Sequence, residues 1–254
     1  MTPMRIDFHF TPGQTDEFAL REKTVIIIDV LRASTSIITA LSNGAREIIP
    51  ATTVESAVKI SGNLTVDVTL LGGERNGKMI EGFNLGNSPV DYSEEKVKGK
   101  AIVFSSTNGS QALVKSRFAQ DVAVCAFVNM AAVSRFLKEK GRDFVIVCAG
   151  NNGMFSMEDT VCGGMLVHSV AGEDAAGWVL SDGALAALTL YRSFGKNILK
   201  MMKNSDHGKH LQEIGFGEDL KICAAVDTLH VIPQLDGNVI KLKKEMEKKE
   251  TVPA

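Results

Sequence analysis

A chain of 254 residues, 44% hydrophobic and 23% charged, has globular composition and can bury a sizeable core. A net charge of −2 with no Lys/Arg cluster excludes a nucleic-acid track, and no apolar run reaches the roughly 20 residues that span a bilayer. The start, Met1-Thr2-Pro3-Met4-Arg5-Ile6-Asp7, lacks the basic-then-apolar layout of a signal peptide, so a cytoplasmic protein without membrane or nucleic-acid partners is expected.

In chain order, Thr24-Val25-Ile26-Ile27-Ile28 predicts a buried strand, followed by the polar tip Asp29-Val30-Leu31-Arg32-Ala33-Ser34-Thr35-Ser36. Ser34 is placed to cap a helix carrying Ile37, Ile38 and Leu41, with Gly44 to stop it. A strand at Glu47-Ile48-Ile49 and a helix over 54–60 follow. Between 65 and 92, Gly72, Gly73, Gly77, Gly82, Gly86 and Pro89 argue against a regular element and for a functional loop.

The design then repeats. Ala101-Ile102-Val103-Phe104 predicts a strand, and Ser105-Ser106-Thr107-Asn108-Gly109-Ser110 its tip. Asn108 and Gln111 have capping-box spacing ahead of Leu113, Val114 and Phe118. Val122-Ala123-Val124 is the next strand, with a helix over 131–138. A third strand, Phe144-Val145-Ile146-Val147-Cys148, leads into Ala149-Gly150-Asn151-Asn152-Gly153. Ser156 and Asp159 then have capping spacing ahead of Val161, Met165 and Leu166. Lys241 to Glu250 alternates in sign and reads as a solvated terminal helix.

Alternating strands and helices imply an α/β fold, three-layered (α/β/α), around a largely parallel or mixed sheet. The similar units at 24–60 and 100–138 suggest an internal duplication within a single domain over 1–254, compact or in two lobes. Ligands of such sheets bind beyond the carboxyl ends of the strands, which would set the three polar tips along one edge. The four cysteines, Cys125, Cys148, Cys162 and Cys223, never form Cys-x-x-Cys and read as small core residues.

Two familiar phosphate motifs fail. Gly72-Gly73-Glu74-Arg75-Asn76-Gly77-Lys78 fits part of a P-loop, but Met79 stands where a Mg²⁺-binding hydroxyl belongs and no helix can follow. Asp29 lacks the second Asp of aspartate-nucleophile phosphatases, since Leu31 holds that position. What remains is a set of anion-cradle candidates. Arg32 with Ser34, Thr35 and a helix start suits phosphate or sulfonate, or forms a structural Asp–Arg pair. Glu74 and Arg75 sit among glycines that permit close approach to a ligand, or form an exposed turn. Asn84, Asn87 and Ser88 are hydrogen-bonding ligands or turn formers. Asn108, Gly109 and Ser110 form another cradle or a plain N-cap. Glu158 and Asp159 suit a helix N-terminus by dipole alone, yet acids beside bound phosphate call for a cation. His207 and His210, in Ser205-Asp206-His207-Gly208-Lys209-His210, form a basic helix start near the site or lie on a helix surface, the second being the expectation.

Taken together, Ile28-Asp29-Val30-Leu31-Arg32-Ala33-Ser34-Thr35, Gly72 to Gly77, Gly82-Phe83-Asn84-Leu85-Gly86-Asn87-Ser88-Pro89, Ser106 to Ser110 and Cys148-Ala149-Gly150 through Glu158-Asp159 resemble the 2-phosphosulfolactate phosphatase (ComB) family, across most of the chain. The resemblance implies Mg²⁺-dependent hydrolysis of 2-phospho-3-sulfolactate, a step towards coenzyme M, on an α/β fold unlike the common phosphatases. The family pattern often has Asp where this chain has Asn84, which argues against a metal carboxylate there. On this reading Asp29, Glu158 and Asp159 hold Mg²⁺. Arg32, Arg75 and the helix starts hold a small anionic phosphorylated substrate, and Glu74 activates water. The rival expectations are a phosphatase of another small phospho-acid and a phosphometabolite-binding protein without turnover. A homodimer is the default assembly for such an enzyme.

Overall fold

The computed structural model describes residues 3–242 except 174 and 176, and of residue 67 the backbone alone. Its strands are β1 (Met4–His9), β2 (Thr24–Ile28), β3 (Glu47–Pro50), β4 (Thr69–Arg75), β5 (Lys78–Met79), β6 (Ala101–Ser105), β7 (Asp121–Cys125), β8 (Phe144–Cys148), β9 (Trp178–Leu180), β10 (Pro233–Asp236) and β11 (Val239–Leu242). The helices are α1 (Ala33–Ser42), α2 (Val54–Gly62), α3 (Glu94–Val97), α4 (Gly109–Lys115), α5 (Met130–Lys140), α6 (Met157–Ala171), α7 (Asp182–Phe194), α8 (Ile198–Asn204), α9 (Asp206–Glu213) and α10 (Asp219–Cys223).

Every residue of β2, β6 and β8 is buried, because helices cover both faces of the sheet. Alternate residues serve opposite layers. Val25, Ile27, Val122 and Val124 meet Ile37, Ile38 and Leu41 of α1 and Leu113 of α4. Ile26, Ile28, Ala123 and Cys125 meet Val133 of α5, Val161 and Leu166 of α6 and Leu188 of α7. On that second side, Ile49 and Val103 pack with Ala57 of α2. The three-layer α/β expectation holds, and all four cysteines are free and buried. Among the described residues no helix is long and apolar enough to cross a membrane.

The described strands form one mixed sheet in the order β5-β4-β6-β3-β11-β10-β7-β2-β8-β1-β9. The two similar units interleave within it. β2 pairs in parallel with β7, and β3 in parallel with β6, so each unit's first strand lies beside the other's second. The β10–β11 hairpin sits between these pairs and is antiparallel to β7 on one side and to β3 on the other. Those three antiparallel pairings reverse direction across the middle, so β3, β6 and β4 run opposite to β7, β2 and β8. The polar tips therefore do not share one edge, as the sequence suggested. They converge from two opposed half-sheets, where the starts of α1 and α4 meet.

Other departures are local. Residues 65–92 contain regular structure: β4 continues through Gly72 and Gly73 and turns back into β5 at Asn76 and Gly77, whose φ values are 53° and 78°. That is the backbone a two-residue Asn-Gly hairpin turn requires. Lys241 lies in β11 rather than in a helix, and residues 243–250 of the expected terminal helix lie outside the described residues. Ser34 is not the cap of α1; Arg32 holds that position. Phe118 falls beyond α4, exposed. Ser156 does cap α6, accepting from the Asp159 N–H.

Candidate active site

Asp29 follows β2 directly and is 5% exposed. Its backbone N–H donates to Ser34 Oγ, and its Oδ1 accepts a long bond from the Ala33 N–H at the start of α1. The carboxylate thus occupies the helix start that the sequence had offered to phosphate. Its Oδ2 faces Gly109, where an added Cβ would lie 2.7 Å from that oxygen and 2.8 Å from Ala33 Cβ. Burial pushes the Asp29 carboxyl up to about 6; His207 pulls it down, while Glu74 and Glu158 add to the rise. Gly109→Ala is expected to lose at least about tenfold in activity and to lower the melting temperature by several degrees, because the methyl displaces Oδ2 and crowds Ala33. Full activity in that variant, measured by phosphate release, would show that the oxygen's position is immaterial.

Most of the expected anion cradles are engaged with the protein itself. Arg32 is buried; its Nη1 donates to Asp219 Oδ2 (2.6 Å), its Nη2 to Gly77 O, and its guanidinium stacks on Phe216. Ser88 Oγ donates to the other Asp219 oxygen. Glu74 accepts from the Gly77 and Thr107 N–H groups, one per carboxylate oxygen, and so ties the β4–β5 turn to the tip after β6. That occupation argues against Glu74 as the water-activating base. Arg75 donates to Glu74 O and Ser105 Oγ, away from the pocket. Asn84 Oδ1 accepts from the Leu71 N–H, standing in for a strand partner. Thr35 Oγ1 donates to Val30 O, and Ser110 Oγ accepts from the Ser106 N–H. These bonds fasten the loops around the pocket.

A polar pocket of about 370 Å³ remains between the tips, lined by Asp29, Arg32, Asn87, Thr107, Asn108, His207 and His210 among others. Asn87 Oδ1 and Thr107 Oγ1 are buried without a hydrogen-bond partner, as acceptors awaiting a ligand are. Asn108 Oδ1 accepts from the Asn152 N–H, which fixes the rim. The two histidines were expected on a helix surface. Both lie on α9, and the start of that helix also delivers them to the pocket, as the Ser205-Asp206-His207 helix-start signal allowed.

The acids of α6 divide in role. Asp159 accepts from the Val30 and Gly150 N–H groups and so clamps the tip of β2 to the tip of β8. Burial, then Asp29 and Glu158, hold its carboxyl well above the usual range. Glu158 Oε1 is buried with no hydrogen-bond partner, 3.4 Å from His207 Nδ1. Burial raises its carboxyl, but His207, a helix amide and Ser205 together bring it below the ordinary value. Among the described residues no three His, Cys, Asp or Glu side chains converge tightly enough to hold an ion. Of the expected trio of Asp29, Glu158 and Asp159, Asp159 is the one whose two oxygens each already accept a backbone amide. Mg²⁺ commonly needs only one or two carboxylates, with water and substrate phosphate completing the set. Asp29 and the unpartnered Glu158 Oε1 fit that smaller requirement.

A buried carboxyl poised near neutrality, a histidine and unpartnered acceptors in a pocket beyond parallel strand ends define an α/β enzyme. The chain belongs to the 2-phosphosulpholactate phosphatase family, whose profile matches residues 9–238. It is 40% identical over 242 residues to a protein of Caldanaerobacter subterraneus subsp. tengcongensis, covering 95% of this chain and all of that one. A Thermotoga maritima protein is 40% identical, over 87% of this chain and 92% of its own. One from Clostridium beijerinckii is 36% identical, over 93% and 99%. Each of the three carries the name "Probable 2-phosphosulfolactate phosphatase".

Proposed function

We propose that the chain is a cytoplasmic, Mg²⁺-dependent phosphatase that converts 2-phospho-3-sulfolactate to 3-sulfolactate and phosphate, a step towards coenzyme M. The observation that carries the chemistry is the buried Asp29 carboxyl, raised to about 6, in a polar pocket that His207 also lines, with Glu158 near enough to add to the rise. The substrate rests on the relatives' names.

Asp29 and Glu158 would hold the ion, which when bound neutralises phosphoryl charge and orients water. Arg32 brings guanidinium N–H groups to the pocket wall beyond those it spends on Asp219 and Gly77. Asn87, Thr107 and Asn108 orient the phosphoryl oxygens and the attacking water. His207, its Nδ1 towards Glu158, keeps Nε2 to protonate the leaving alcohol oxygen. Asp159 and Glu74 hold the tips in place. Phosphate release from 2-phosphosulfolactate, with and without EDTA, tests this reading. Release that stops with EDTA and returns with added Mg²⁺ is expected; EDTA-insensitive release would remove the ion from the mechanism.

A further inference from the structure

Next to the small pocket lies a second cavity of about 850 Å³, bounded by the start of α6, the end of α7 and α8. The two share Asn151, Asn152 and His207. The 151–154 turn forms the sill between them, pinned by the Asn152 bond to Asn108. Met154, Phe155 and Phe194 line the larger cavity and are exposed there, an arrangement a folded chain avoids unless the surface is used.

Its charges are graded. Glu158 and Asp206 line it together with His207, which the two cavities share. Lys196 and Lys200 line the other side, do not reach the small pocket, and make no ion pair with a described residue. Lys196, in the turn before α8, and Lys200, in the first turn of α8, both bring ammonium groups to this cavity without a paired carboxylate among the described residues. The volume is in the range that takes a drug-sized ligand, far more than a three-carbon acid fills.

We propose that this cavity receives the organic half of the substrate: an apolar carbon skeleton ending in a carboxylate or sulfonate that meets Lys196 and Lys200. The phosphoryl group stays at Asp29, so the inference rests on the phosphatase reading and widens its substrate class to phosphomonoesters of larger hydroxy acids. In the reaction, water oxygen bonds to phosphorus, the ester P–O bond breaks, and the alcohol oxygen takes up a proton. The acid product is then held by the lysines alone.

Calorimetry with product acids tests the subsite without turnover. Wild-type protein should bind 3-phenyllactate at least about tenfold more tightly than lactate, as burial of a phenyl group requires. The double variant Lys196→Ala/Lys200→Ala should weaken 3-sulfolactate, whose sulfonate is the anion farther from the hydroxyl, by about fivefold or more. Its KM for 4-nitrophenyl phosphate, which has no distal anion, should be unchanged. Equal affinity for lactate and 3-phenyllactate, or undiminished binding by the double variant, overturns the proposal. The expected binding pattern without phosphate release from any ester would support the subsite and strike the phosphatase reading alone.

Discussion

Replacing Asp29 by Asn is expected to lower phosphate release by about 10²–10⁴-fold while making the protein harder to unfold above pH 6. The two effects share one origin. Burial holds the carboxyl at about 6 in the folded chain, against an ordinary value of 3.8. Below the ordinary value both states are protonated, and the group adds nothing to stability. As pH rises from there to 6, the unfolded chain has released its proton and the folded chain has not, so stability falls. Above 6 the full penalty, on the order of 3 kcal/mol, applies. Asn fills the same space, can still accept from the Ala33 N–H, and carries no charge to bury. In EDTA, the variant should melt several degrees above wild type at pH 7.5, with the gap closing towards pH 4. A gap that does not depend on pH would mean that Asp29 is not the titrating group.

Asp219→Ala should have the largest effect on stability, about 3–5 kcal/mol, or a melting temperature lower by on the order of 10 °C. It leaves the Arg32 guanidinium buried without its counter-charge and Ser88 Oγ without its acceptor. Arg32 also holds Gly77, and Gly77 carries the Glu74 grip on Thr107, so the pocket wall should loosen as well. The double variant Arg32→Met/Asp219→Leu separates fold from function. Apolar replacement of a whole buried pair is often neutral, so stability should largely return. Activity should stay low if Arg32 touches the phosphoryl group. Recovery of both would reduce Arg32 to a structural role.

The buried strands were legible because four or five consecutive apolar or β-branched residues have few uses other than a sheet covered on both faces. β2, β6 and β8 were read that way, and Asp29 at a strand tip came with them. The Ser156 cap was legible because its partner is three residues away. What failed was long-range. Nothing near Arg32 announces Asp219, 187 residues later, so the sequence left the guanidinium between an anion cradle and an Asp–Arg pair without naming the true partner. Nothing local shows that Asp159 spends both oxygens on the amides of Val30 and Gly150. His207 resembled any residue of an amphipathic helix until the fold turned that helix start into the pocket. β1 mixes polar and apolar positions, as an outer strand does, and went unread. The β10–β11 hairpin did carry a turn signal, Asp236-Gly237, but the charge run beginning at Lys241 suggested a helix instead.

The interleaving of the two units bears on how the chain reaches its native state. No unit can complete a sheet from its own sequence: Thr24 waits for Asp121, and Glu47 for Ala101, partners roughly fifty to a hundred residues away. The entropy of closing those loops must be met before any parallel pairing repays it, which makes folding slow and dominated by non-local contacts. A nascent or truncated chain ending before β7 would present the apolar edge of β2 unpaired, a template for aggregation. Because Asp29 comes from one unit and Gly109 from the other, catalytic competence should appear late and all at once during refolding.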